Sequence, residues 1–102
     1  MTKEEIITRL LQHRAELEAY GVEHLSLFGS VARDEATADS DIDVVVKLED
    51  AIMQSGLGYV GALMDLKERL EDITGKSVDI VSEPLRKERF RQNVERDRVV
   101  AF

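Results

Sequence analysis

Apolar positions along the chain change their period several times, and each change marks an element. Ile6, Ile7, Leu10, Leu11 and Leu17 recur at helical spacing. Thr2-Lys3-Glu4-Glu5 fits a capping box with Thr2 as N-cap, and Gly21 follows Tyr20 as a C-cap residue. One helix ending near Tyr20 is therefore expected. Residues 25–28 then read as a strand. A second strand is expected over residues 41–48, with a short helix and loop over 31–38 between them. Residues 49–58 form the loosest stretch, broken by Ser55-Gly56 and Gly58. Helical spacing returns with Tyr59, Leu63, Leu66, Leu70 and Ile73, and Gly75 closes that helix. Residues 77–81 read as a third strand. Ser82 and Pro84 read as the start of a last helix, with Pro84 near its first position. Residues 99–102 are apolar, and a final strand or a segment docked on the core is expected there. The order α-β-α-β-α-β-α predicts an α/β (α+β) fold, a small mixed β-sheet with helices packed on it. One domain, residues 1–102, is expected at this length.

The polar positions inside the strands carry the chemistry. Ile42, Val44 and Val46 point into a core, so Asp41 and Asp43 share the opposite face with Lys47. Two residues apart on a strand, the Asp41 and Asp43 Cα atoms lie roughly 6.5 Å apart. Two carboxylates so placed can share a pair of hard divalent cations, which sit about 4 Å apart in two-metal sites. Gly29 lets the backbone come close to a phosphate, and Ser30 adds a hydroxyl and an amide at a helix start. Asp79 stands off the core face of the third strand, against strand propensity, as functional residues do. His13 and His24 have no second imidazole or thiol nearby and read as surface or boundary residues.

Composition narrows the setting. There is no cysteine, which excludes disulfides and thiolate metal sites. No apolar run approaches membrane-spanning length, so a cytoplasmic protein with no membrane contact is the expectation. Formal net charge is −7, which argues against direct nucleic-acid binding. That charge is uneven, because residues 84–98 carry six basic and three acidic side chains and leave the remainder at −10.

Gly29-Ser30, followed at a distance by Asp41-x-Asp43, resembles the signature of the DNA polymerase beta nucleotidyltransferase superfamily. More closely, the chain is similar to minimal nucleotidyltransferases, the MNT antitoxins of HEPN/MNT toxin–antitoxin pairs. Gly29, Ser30, Ala32, Arg33, Ser40, Asp41 and Asp43 carry the match, and Asp79 stands as the third carboxylate. Asp34 departs from the pattern, where relatives usually have Gly after the Arg.

The resemblance implies a nucleotidyltransferase fold core and an enzyme that uses ATP with two Mg²⁺ ions, Mn²⁺ being a possible substitute. Asp41, Asp43 and Asp79 would be both metal-binding and catalytic. Gly29, Ser30 and Arg33 would bind the nucleotide, while Ser40 caps the turn into the second strand. The acceptor would be a tyrosine hydroxyl of a partner HEPN ribonuclease toxin, silenced by transfer of AMP. Larger relatives add acceptor domains for which this sequence has no residues, so the acceptor is expected from another chain or at an open cleft. Two alternatives follow from the same residues. One is an antitoxin that blocks the toxin by contact alone, and the other is an aminoglycoside-type transferase acting on a small molecule.

Overall fold

The computed structural model describes residues 1–102. Helix α1 (Lys3–Gln12) leads into α2 (Arg14–Ala19), strand β1 (Val22–Phe28) and the single turn α3 (Gly29–Ala32). Strand β2 (Ile42–Leu48) follows, then α4 (Asp50–Met53), the long α5 (Leu57–Thr74) and β3 (Val78–Ser82). Helix α6 (Glu88–Asp97) and strand β4 (Val99–Val100) complete the chain. The four strands form one sheet in the order β3-β2-β1-β4. β1 runs antiparallel to both β2 and β4, and β2 runs parallel to β3. The sheet is therefore mixed, and the final strand expected over 99–102 is present at its edge.

Strand alternation decides what each face meets. Ile42, Val44 and Val46 are 0%, 1% and 0% exposed and join Leu25, Leu27, Leu66 and Leu70 in the main core. Val45 points the other way and is equally buried, opposite Ser26 on β1, while Phe90 of α6 packs on Phe28 of β1. So α6 covers part of the face that carries Asp43.

Thr2 Oγ1 accepts the Glu5 N–H at 3.1 Å, which is the expected N-cap. Thr2→Ala is expected to lower unfolding free energy by about 1 kcal/mol, read from urea denaturation. Gly75 closes α5 in the left-handed region at φ 70°.

Several boundaries differ from the sequence reading. The expected first helix is two segments meeting at His13, at φ −104° and ψ 14°. The irregularity is confined to that residue, since Leu17 N–H still donates to His13 C=O at 2.9 Å. β1 begins at Val22, three residues early, and so includes His24. The polar pair Glu23-His24 and a register shift there hide the alternation. A turn of helix, α4, interrupts the stretch read as loose, because Ile52 packs back onto the core.

The last helix starts at Glu88, not at Pro84. Pairing of β2 with β3 continues to Ser82, and Glu83 N–H donates to Val46 C=O at 2.8 Å. That bond holds the chain extended into Pro84, and the residue before a proline disfavours helix as well.

Candidate functional site

The sheet register builds the site. Phe28 lies opposite Asp43 on the antiparallel pair, and Asp43 lies opposite Asp79 on the parallel pair. Residues directly opposite share a face, so Phe28, Asp43 and Asp79 form a row across three strands. Asp41 precedes β2 on the same side. Asp43 is half-buried, while Asp41 and Asp79 are exposed. The start of β3 is fixed by Glu71, whose Oε2 accepts the Val78 N–H at 3.0 Å. That bond, followed by one from Lys67, holds the Glu71 carboxyl below its usual range.

Burial first, then the neighbouring Asp79 and Asp41 carboxylates, push the Asp43 carboxyl above the usual range. Arg33 pulls the other way but does not compensate. A half-buried carboxylate facing two others suits a hard divalent cation with oxygen ligands. The three groups are not gathered into one ready coordination cluster. What the backbone supplies is the register that puts Asp43 beside Asp79.

Gly29 closes the site from the β1 side. Its φ is +72°, and a Cβ there would stand 2.1 Å from Asp43 Oδ2. Any larger residue would strain the turn and displace that carboxylate. Ser30 sits in the first turn of α3. Because α3 is one turn long, it offers free first-turn N–H groups rather than a long helix dipole. Ser40 Oγ accepts the Thr37 N–H at 2.9 Å and so caps the turn before β2, as read from the sequence.

Arg33 does not point at open solvent. Its guanidinium donates to Asp97 at 2.7 Å and to Glu35 at 3.0 Å. These bonds, Glu35 first, push its guanidinium further above its usual range. They tie the residue after α3 to the end of α6. Asp34 takes φ 59°, a left-handed conformation that aspartate tolerates better than most residues, and pairs with Lys3 at 3.2 Å. The departure from Gly at this position thus keeps the turn. Lys47 is held by Glu23 at 3.5 Å.

Three contributors escape sequence reasoning. Asp97 looks like one more acid on a charged helix, yet its side chain is 8% exposed under Arg33. Glu71 gives no signal for its bond to the third strand. Phe90 meets Phe28 edge to face, with ring centroids 5.9 Å apart, and only an unbroken reading of the sheet face could have paired them.

Comparisons with known proteins point one way. A family model described as Polymerase beta, Nucleotidyltransferase matches residues 5–102. The protein adenylyltransferase MntA of Thermococcus cleftensis is 40% identical over 82 residues, covering 79% of this chain and 77% of that protein. A solved structure described as a candidate minimal nucleotidyltransferase matches at TM-score 0.74 and 34% identity, covering 97% of this chain and 95% of that one. A solved structure described as a tri-AMPylated Shewanella oneidensis HEPN toxin in complex with MNT antitoxin contains a chain that matches at TM-score 0.65 and 17% identity. That match covers 99% of this chain and 72% of the other, and it is a likeness of fold alone.

Proposed function

Because the chain belongs to the polymerase beta nucleotidyltransferase family, we propose that it transfers AMP from ATP to a tyrosine hydroxyl of a partner HEPN-type ribonuclease toxin. It thereby acts as the antitoxin of that partner. The observation that carries this reading is Asp43, half-buried between Gly29 and Asp79, with its carboxyl raised by burial first and then by the neighbouring carboxylates.

The chain's residues divide the work. Free amides at Gly29 and Ser30 hold the β- and γ-phosphates, and glycine's missing side chain admits them. Arg33, held by Glu35 and Asp97, balances charge developing on the triphosphate. Asp41, Asp43 and Asp79 would hold two Mg²⁺ ions, or Mn²⁺, and the bound metal would supply charge neutralisation and a lowered pKa for the attacking hydroxyl. Asp79, exposed at the rim, accepts the proton from that hydroxyl. The tyrosine oxygen forms its bond to the α-phosphorus as the α–β phosphoanhydride bond breaks, and pyrophosphate leaves. Residues 1–102 act as one domain, with the acceptor arriving on the partner, in the cytoplasm.

The test is intact mass spectrometry of the purified HEPN partner after incubation with the chain, ATP and Mg²⁺. The expected result is a partner heavier by one or more AMP units and without ribonuclease activity. An unchanged mass with the ribonuclease still blocked would overturn transfer in favour of inhibition by contact.

A further inference from the structure

Six cations crowd residues 84–98, but they are not alike. Arg91 pairs with Glu88, Arg96 with Asp97, and Arg98 with Glu83 and Glu95. Arg86, Lys87 and Arg89 are exposed and make no ion pair or side-chain hydrogen bond. The unbalanced positive charge is therefore concentrated at the N-terminal end of α6. Helix stability does not explain it. Cations at a helix N-terminus oppose the dipole, and Lys87 stands at the N-cap without a side-chain capping bond.

Two observations connect this cationic run to the candidate site. Phe90, exposed for 37% of its surface, packs edge to face on Phe28, and Phe28 lies opposite Asp43. The run is thus continuous with the carboxylate row. At its other end Arg86 borders an open cleft with Lys47 and Glu83. Lys47 lies four residues along β2 from Asp43, about 13 Å at the rise of a strand. A triphosphate seated at Gly29 does not span that distance, but an extended peptide does.

We propose that Arg86, Lys87, Arg89 and Phe90 form the docking surface for an acidic, tyrosine-bearing segment of the partner protein. The inference rests on the AMP-transfer reading for the identity of the accepting residue. The three cations face carboxylates flanking the tyrosine, across a chain otherwise too acidic to attract them. Phe90 offers its ring to the tyrosine ring, in the offset or edge-on contacts aromatic pairs prefer. The charge contrast selects the acidic segment and speeds its arrival.

The probe is a fluorescent Glu–Tyr random copolymer, read by anisotropy, with a Lys–Tyr copolymer and polyglutamate as controls. Wild type is expected to bind Glu–Tyr and not Lys–Tyr. Binding should vanish in about 1 M salt, where the Debye length is about 3 Å. The triple variant R86E/K87E/R89E should weaken Glu–Tyr binding at least about tenfold, without change in Mg-ATP affinity. Its exposed sites and an unchanged circular dichroism melt would exclude misfolding, and R86Q/K87Q/R89Q should give an intermediate loss. Phe90→Ala should weaken Glu–Tyr binding but not polyglutamate binding. Unaltered affinity in the triple variant, or a loss of ATP affinity in its place, would overturn the proposal. So would tighter binding of a single-stranded RNA oligonucleotide that the same substitutions abolish. None of these readings requires AMP transfer, so failure of the mass experiment and failure of the docking surface are separable.

Discussion

Asp43→Asn is expected to slow AMP transfer by about 10³-fold or more and to leave the fold intact. The substitution replaces the charged oxygen ligand proposed for the metal with a neutral amide of nearly the same shape. Several kcal/mol of charge stabilisation at the reacting phosphate are lost, and each 1.36 kcal/mol is tenfold in rate. Stability should move the other way. The folded protein holds the Asp43 carboxyl above its ordinary range, by burial first and then by Asp79 and Asp41. Between the unfolded and folded pKa values the native state binds the extra proton, so Asp43 lowers stability as pH rises through that window. At neutral pH the charged form is therefore a burden that asparagine removes. Thermal melts without divalent metal should show a higher Tm for Asp43→Asn at pH 7, with the gain shrinking as the buffer is acidified through the carboxylate range. Adding Mg²⁺ or Mn²⁺ should stabilise wild type more than the variant, because a cation bound only by the folded state raises its stability. An Asn variant that transfers AMP within tenfold of wild type would remove Asp43 from the reaction.

The two signals that made the site legible were both local. Alternation across residues 41–48 placed Ile42, Val44 and Val46 in the core and Asp43 opposite them, because period two is fixed by strand geometry. Glycine before Ser30 signalled a close approach of the backbone, and the structure adds φ +72° at that position. What was not legible depends on contacts between distant segments. Asp97 is remote from Arg33 in the chain, and nothing in a charged helix says which acid turns inward. Pro84 looked like a helix start because proline favours that position, but the ladder bond from Glu83 to Val46 belongs to tertiary structure. The same limit hid α4. Its apolar residue Ile52 is recognisable as packed on the core only once Gly21 is seen to leave it room, a Cβ there standing 1.9 Å from Ile52 Cδ1. Asp34 shows the converse, a departure from pattern that the backbone absorbs at φ 59°.

Gly29→Ala is expected to cut the transfer rate by about 10²-fold and to destabilise the fold by roughly 1–3 kcal/mol. Two causes act together. The backbone at φ +72° is a left-handed conformation that alanine adopts only at a cost. The new Cβ would also stand 2.1 Å from Asp43 Oδ2 and 3.0 Å from its Cγ. The carboxylate is the group free to move, so it is the one displaced, and a shift of about 1 Å at a reacting site is enough for a 10²-fold loss. A double-mutant cycle separates the causes. In an Asp43→Ala background the carboxylate is gone, and the Asp43 Cβ at 3.3 Å from the new methyl remains a tight but tolerable contact. Gly29→Ala should then retain only its backbone cost. The coupling between the two sites, from chemical denaturation of all four proteins, should exceed about 0.5 kcal/mol. Transfer by Asp43→Ala should not fall further when Gly29→Ala is added, because there is no carboxylate left to misplace. Additive stability losses, within about 0.3–0.5 kcal/mol, would mean that Gly29 serves the turn alone and that the site does not depend on its closeness to Asp43.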